Sequence, residues 1–163
     1  MADTVRKVEY FSIQVPNKPA QAFGVLSTLV SAGINLLACS GVPRGRRAQI
    51  DVVPDDTRQF RRVVKKAGLM FSPEKSGFMI QGDDRPGALA DHLRALAESD
   101  VNVTGIDALS AGEGRWGAII WVEDDAVAKA DRVLKATGRA ATGRAARSAP
   151  RAAPRGRRAS RRR

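Results

Sequence analysis

The sequence predicts an α+β fold in which two ferredoxin-like β-α-β-β-α-β modules follow one another, each an antiparallel sheet covered on one face by two helices. An internal repeat is the first observation behind this prediction: residues 17–20 and 84–87 lie 67 positions apart, and the same offset relates residues 34–36 to residues 101–103. The second observation is hydrophobic periodicity, which follows the same order of strand-like and helix-like segments in both copies.

Each element of the first copy has its own sequence signal. Strands are predicted where apolar and polar residues alternate, and helices where apolar residues recur every three or four positions. Gly33 and Gly68 are favoured residues for ending the two helices. We predict strands at residues 8–15, 35–39, 48–52 and 68–72, a turn at residues 41–47, and helices at residues 22–33 and 54–67.

The second copy is predicted to repeat these elements at residues 78–81, 88–98, 103–109, 117–122 and 125–136. After the second strand the offset becomes 69, which places Ile119 and Trp121 on the inward face and Trp116 on the outward face. Residues 137–138 are a poor closing strand. The second sheet is therefore closed by tail residues, by a partner chain or not at all.

Charge divides the chain into a body and a tail. The formal net charge is +11, yet residues 139–163 hold ten arginines and no acid, so the preceding residues are nearly neutral. The tail is composed almost wholly of Arg, Ala, Gly, Pro and Ser, which predicts disorder. We therefore predict a first module at residues 1–71, a second at 72–138 and a disordered basic tail at 139–163.

Cysteine, histidine and hydropathy exclude several classes of protein. Cys39 is the only cysteine and His92 the only histidine, so neither an internal disulfide nor a Cys/His zinc site can form. A reducing cytoplasm is the expected compartment, since there is no secretory leader pattern and no apolar run long enough to insert in a membrane.

Catalysis has little support in the sequence. His92 is predicted to be a solvated residue on a helix surface, and the paired acids at 55–56, 83–84 and 124–125 stand at helix starts, where capping explains them. We expect neither enzymatic activity nor a metal or cofactor.

The segment at residues 84–89 is the most informative local motif because it joins a strand to a helix N-terminus. Free backbone N–H groups there attract a carboxylate or phosphate. Gly87 permits close approach of a ligand, and Asp84 accepts hydrogen bonds from the following backbone. Such a segment also serves as an ordinary turn and helix start.

Together with the repeat and the strand order, this motif resembles the ACT family of regulatory amino-acid-binding domains over about residues 7–136. The resemblance implies a non-catalytic sensor that binds a free amino acid at an interface between modules, and we expect a homodimer. The implied site residues in the second copy are Asp84, Arg85, Pro86, Gly87, Ala88, Leu89, Asn102 and Val103.

The first copy departs from the family pattern. Asn17 replaces the acid and Ala20 replaces the glycine. The methyl group of Ala20 would crowd a bound carboxylate. A weaker site, or the far wall of a shared one, is expected at Asn17, Pro19, Ala20, Asn35 and Leu36.

Nucleic acid is the alternative partner. Trp116 and Trp121 faintly resemble the stacking strand of an RNA-recognition motif, but residues five apart face opposite sides of a strand. The tail instead suggests a protein that binds phosphates without sequence preference, with the body as a dimerisation unit. The expected polyanion ligands are Arg151, Arg155, Arg157, Arg158, Arg161, Arg162 and Arg163.

Removal of residues 139–163 tests the role of the tail. If the tail supplies nucleic-acid affinity, truncation abolishes binding to duplex DNA, and the logarithmic salt slope of the full chain lies between zero and about −9. Fluorescence anisotropy at several salt concentrations measures both quantities. Salt-sensitive DNA binding that survives the truncation contradicts the hypothesis.

Overall fold

The computed structural model describes residues 3–145, with side chains through residue 138. Its strands are β1 (Thr4–Pro16), β2 (Leu36–Arg44), β3 (Arg47–Pro54), β4 (Lys75–Asp83), β5 (Val103–Gly112) and β6 (Arg115–Val122). Its α-helices are α1 (Gln21–Ser31), α2 (Thr57–Lys66), α3 (Ala88–Glu98) and α4 (Val127–Ala145), and a short 3-10 helix (Asp124–Ala126) precedes α4.

All six strands form one antiparallel sheet in the order β2-β3-β1-β4-β6-β5. The α+β class and the antiparallel pairing predicted from the sequence are confirmed. The first half of the chain, β1 to α2, and the second half, β4 to α4, repeat the order β-α-β-β-α.

Strand β1 belongs to both halves. Its residues 11–16 pair with β3, while its residues 4–10 pair with β4. The closing strand of the second half is therefore supplied by the beginning of the same chain. Thr137 and Gly138, considered above as a closing strand, lie instead inside α4.

The segment between α2 and β4 has a reciprocal role. The Ser72 backbone N–H donates to the Ser12 carbonyl at 2.7 Å, and the Ser12 N–H donates to the Ser72 hydroxyl at 3.0 Å. This segment follows the C-terminal part of β1 as an irregular connection, where a regular strand was predicted at residues 68–72.

The helices bury two separate cores against one face of the sheet. Phe11, Leu29 and Phe60 are central to the first, and Phe78 and Leu134 to the second. A third cluster lies on the opposite face, and all its members are on strands: Val8, Val53 and Ile119, with Tyr10, Leu37, Ala38, Met79 and Trp121 against them.

The predicted facing of the two tryptophans is wrong. Trp116 is buried in the second core beneath the helices, whereas Ile119 and Trp121 lie on the helix-free face. Pairing explains the error. Ile13 pairs with Ile50, and its counterpart Ile80 pairs with Ala118, so the true offset at this strand is 68 and not 69.

Several elements are longer than the sequence indicated. Strand β2 continues to Arg44, which reduces the predicted turn at residues 41–47 to residues 45–46, where Gly45 has a φ of 63°. Helix α4 continues through Ala145, past the predicted boundary at Gly138. The predicted polyanion ligands of the tail lie outside the described residues, and a truncation that preserves α4 begins after Ala145.

None of the helices in the described part of the chain is both long and apolar enough to cross a membrane.

The sharing of β1 predicts that the two halves do not fold independently. Residues 72–145 produced alone lack the strand that pairs with β4, which leaves an open edge and an uncovered core. We expect aggregation or loss of cooperative unfolding, measured by circular dichroism and size-exclusion chromatography. Coexpression with residues 1–71 restores a soluble complex. A monomeric, cooperatively folded 72–145 fragment contradicts this expectation.

Candidate functional site

The loop between β4 and α3 has the geometry of an open anion site. Gly87 is the N-cap of α3 with a φ of 84°, and no side chain caps the helix. The Ala88 N–H donates to the Arg85 carbonyl at 3.2 Å, and the N–H groups of Leu89 and Ala90 in the first turn are available to a ligand. The left-handed conformation favours glycine, which also keeps the approach to the helix end clear.

The corresponding loop in the first half has the same backbone form. Ala20 is the N-cap of α1 with a φ of 68°, and it too lacks a side-chain cap. The Asn17 N–H donates to the Arg46 carbonyl at 2.9 Å, as the Asp84 N–H donates to the Gly114 carbonyl at 2.7 Å. The repeat read from the sequence thus extends to individual hydrogen bonds.

A cleft of about 480 Å³ adjoins the second-half loop, and we call it the loop cleft. Asp84 lies at its polar end, where its Oδ2 accepts a hydrogen bond from the Ser110 hydroxyl at 2.9 Å. Arg85 also contributes to the lining. The apolar wall of the loop cleft consists of Ala88, Leu89, Leu93, Ala108, Leu109 and Trp116. An anionic group, helix N–H donors and an apolar wall therefore meet in one concave site.

Asp3 holds Arg85 in place. The two guanidinium nitrogens donate to the two carboxylate oxygens at 3.1 and 3.0 Å, and the Asp3 side chain is fully buried. Burial by itself raises the pKa of Asp3, but hydrogen bonds from Arg85 and His92 outweigh it, so that the pKa of this carboxyl is lowered. The first described residue of the chain thus anchors the loop that lies 82 positions later.

His92 is fully buried, which corrects the prediction of a solvated surface residue. Its Nε2 lies 3.1 Å from Asp3 Oδ2, and its ring centroid lies 6.0 Å from that of Trp116. Asp3 covers this face of α3, and no local pattern in the helix reveals so distant a partner. In the part of the chain that the structure describes, His92 Nδ1 has no hydrogen-bond partner.

Two glycines leave the room that Asp3 occupies. A Cβ at Gly82 would lie 1.9 Å from Asp3 Oδ1, and a Cβ at Gly138 would lie 2.6 Å from the Asp3 carbonyl oxygen. Gly138 lies within α4, where glycine is intrinsically unfavourable. Close packing of Asp3 is a physical reason for glycine at both positions.

The structure brings together only part of the predicted site. Asp84, Arg85, Gly87, Ala88 and Leu89 all line the loop cleft, whereas Pro86 is exposed beside it.

Asn102 and Val103 lie at the opposite end of the sheet. Val103 pairs with Val122, whereas Asp83, beside the loop, pairs with Arg115. Arg115 and Val122 are seven residues apart on β6, so the loop and Val103 are separated by about 23 Å along the strand direction.

The weaker first-half set is divided in the same way. Asn17 donates through its side chain to the Gly45 carbonyl at 3.2 Å, and Pro19 and Ala20 belong to the same loop. Leu36 pairs with Pro54 at the far end of β2, and Asn35 accepts from the Asp55 N–H beside it.

Sequence reasoning missed three contributors to this region: Asp3, Ser110 and Trp116. The corrected strand register would have placed Trp116 beneath the helices, and its pairing with Ser110 would have followed. No sequence signal identifies Asp3 as the partner of Arg85. Residues 3–145 hold no group of three or more side chains arranged to bind a metal ion.

Substitution of Asp3 tests the buried ion pair. Asp3→Asn leaves Arg85 and His92 without their anion, and we expect the free energy of unfolding at pH 7 to fall by about 3 kcal/mol. Because the pKa of Asp3 is lowered on folding, its stabilising effect is complete above the unfolded value of about 3.9 and is lost as the pH falls through the lowered value.

The stability curves of the wild type and Asp3→Asn should therefore begin to approach each other below about pH 4 and coincide only below the lowered pKa of Asp3. Urea denaturation from pH 7 to pH 3 measures both curves. Asp55→Asn, which alters an exposed acid, serves as the control. A difference that is small at pH 7, or equal at every pH, contradicts the assigned role.

Part of the sequence matches a known protein family. Residues 78–141, which include every lining residue of the loop cleft, match the ACT domain family. No curated protein matches the sequence.

Solved structures share the fold at low sequence identity. Protein BT0572 from Bacteroides thetaiotaomicron is 21% identical with a TM-score of 0.70, over 80% of this chain and 88% of that one. The ligand-free regulatory subunit of aspartate kinase from Thermus thermophilus is 19% identical with a TM-score of 0.58, over 84% and 97%. The ACT-domain match is confined to residues 78–141, and the solved structures show a shared fold over most of the chain.

Proposed function

We propose that this protein is a non-catalytic sensor made of two ACT-like modules, which binds a free amino acid in the loop cleft and passes its occupancy to a partner or to its own assembly. One observation carries the proposal: the uncapped N-terminus of α3 and the Asp84 carboxylate border the same cleft. These two features are complementary to the two charged groups of a zwitterion.

The chemistry of the cleft assigns a role to each end. The ligand carboxylate accepts hydrogen bonds from backbone N–H groups in the first turn of α3, where the helix dipole also favours negative charge. The ligand ammonium group pairs with Asp84, which the Ser110 hydroxyl holds in place. An aliphatic ligand side chain packs against Leu89 and Leu93.

Arg85 is a positioning residue in this proposal. Its guanidinium group is engaged in two hydrogen bonds with Asp3, so its charge is largely compensated within the protein. The Asp3 contact keeps the loop in the form that exposes the helix end. The principal attraction for a carboxylate therefore comes from the backbone of α3.

The first-half loop differs from the second-half loop in ways that favour one competent site per chain. It repeats the backbone conformation, but Asn17 cannot supply the negative charge that Asp84 offers to an ammonium group. The Asn17 side chain is also engaged with the Gly45 carbonyl. We therefore assign ligand binding to the second half.

A homodimer would place a wall opposite the loop cleft. The residues that line the cleft all come from the second half, so the predicted interface between modules is not formed by the two halves of one chain. Strand β5 is an edge of the sheet, and Leu109, which borders the cleft, is 64% exposed. Pairing of two chains along this edge would bring a second module to the cleft.

A panel of free amino acids tests the proposal on the full chain. A ligand that binds only the folded state and is present at 100 times its Kd stabilises the protein by about 2.7 kcal/mol, which differential scanning fluorimetry detects as a rise in Tm. We expect a rise with one amino acid or a few of similar side chain. Sedimentation velocity with the same ligand reports whether binding changes the assembly.

Two variants localise the binding. Asp84→Asn preserves an acceptor for Ser110 while removing the charge, and Gly87→Val places a branched side chain at the helix end. Gly68→Val is the matched control, because Gly68 also has a positive φ of 66° and open space around it, yet lies at the end of α2.

Loss of the ligand-induced shift in Asp84→Asn and Gly87→Val, with retention in Gly68→Val, supports the assignment. The absence of any shift across the panel refutes amino-acid sensing. A shift that survives in both cleft variants refutes the location of the site.

A further inference from the structure

A second cavity lies on the face of the sheet that carries no helix, and we call it the free-face cavity. Its volume is about 250 Å³. Residues of β2, including Leu37 and Ser40, border it from one side, and Asp107 and Leu109 of β5 border it from the other. Because β2 and β5 are the two outer strands, the sheet must curl until its edges face each other across the central strands.

Strand register independently places these groups on one face. Asp107 pairs with Ile119 and Leu109 pairs with Gly117, and directly paired residues project to the same side of a sheet. Ile119 belongs to the apolar cluster on the helix-free side. The Asp107 carboxylate and the Leu109 side chain therefore lie beside this apolar cluster, which we call the floor of the cavity.

The floor is preformed and rigid. Trp121 lies across two neighbouring strands, since a Cβ at Gly105 would be 3.1 Å from its ring and a Cβ at Gly77 would be 3.4 Å from it. Tyr10 packs edge-on against Trp121 with ring centroids 5.8 Å apart. Val53 is only 2% exposed although no helix covers this face.

The polar groups of the cavity are acidic or neutral. Asp51 and Asp107 are among the residues that line it, and within the described part of the chain no lysine, arginine or histidine does. Asp51 is held by hydrogen bonds from Ser12 and Gln49. The indole N–H of Trp121 is buried without a hydrogen-bond partner among the described residues. The two lining carboxylates favour a cationic occupant.

We propose that the free-face cavity is a second ligand site, which takes a small organic cation with an apolar body. The volume lies just below the range of about 300–1,000 Å³ typical of drug-sized ligands, so the occupant is about the size of one aromatic ring with a short amine. The apolar body contacts Ile119 and Trp121, and the ammonium group pairs with Asp107. This proposal does not depend on amino-acid binding in the loop cleft.

Cys39, the only cysteine of the chain, serves as a control, because it pairs with Val52 of the first core and its exposed thiol projects away from the free face. Partial burial, together with the nearby Asp51, raises the pKa of its thiol, so labelling is measured at about pH 8.5. Phenethylamine is the cationic probe, and 3-phenylpropionate is its anionic counterpart. A maleimide reagent follows the rate of thiol modification at increasing probe concentration.

Indole NMR signals supply the readout of binding. We expect phenethylamine to shift the Trp121 N–H resonance saturably and to leave the rate of Cys39 labelling unchanged, while 3-phenylpropionate does not shift the Trp121 resonance. Trp116, buried under the helices on the opposite face, is the internal control.

Two variants and one control assign the effect to the cavity. Asp107→Asn removes the charge from an exposed edge strand, and Asp125→Asn removes a charge from the 3-10 helix as its control. Gly117→Val fills the cavity, since a Cβ there meets nothing closer than the Ile80 carbonyl at 3.7 Å. Both cavity variants should weaken phenethylamine binding at least tenfold, whereas Asp125→Asn should not.

The outcomes are decisive in either direction. The proposal is overturned if phenethylamine shows no saturable effect at tens of millimolar, if the anion binds equally well, or if Asp107→Asn binds as tightly as the wild type. Gly87→Val separates the two sites, because it should abolish amino-acid binding in the loop cleft and leave the response to phenethylamine unchanged.

Discussion

The sharing of β1 between the two halves is the constraint on which the rest of the structure depends. One strand of 13 residues pairs with β3 along its C-terminal part and with β4 along its N-terminal part. It thereby joins two three-stranded sheets into one, closes the second core and carries Asp3 to the loop cleft. The second core is closed only when β1 is in place, whereas the first core is built from residues 11–71, so folding of the second half depends on the first.

This constraint also determines the electrostatics of the loop cleft. Asp3 can reach Arg85 and His92 only because β1 runs beside β4, and Gly82 and Gly138 leave room for it. A buried carboxylate with a bidentate arginine partner is stable when its hydrogen bonds are complete, and strongly destabilising when one partner is removed. The loop is therefore held by an interaction that no ligand needs to provide.

Periodicity and the repeat were sufficient to predict the fold class, helix α3 and the loop at residues 84–89. They failed where the outcome depended on one residue of register or on a distant partner. Trp116 was assigned to the wrong face because a single-residue shift at β6 reverses every side chain. His92 was assigned to solvent because the acid that buries it lies 89 positions earlier in the chain. Asn102 was assigned to the site from the family resemblance, although the strand carries it to the far end of the sheet.

The two cavities lie on opposite faces of one thin layer of backbone. Along β5, Ala108 and Ser110 line the loop cleft and Asp107 lines the free-face cavity, while Leu109 borders both. Strand β5 is paired on one side alone, so it is freer to move than the central strands. A ligand that displaces this strand from one face must alter the lining of the other. Any coupling of the two cavities through β5 would have one free energy, the same whichever ligand binds first.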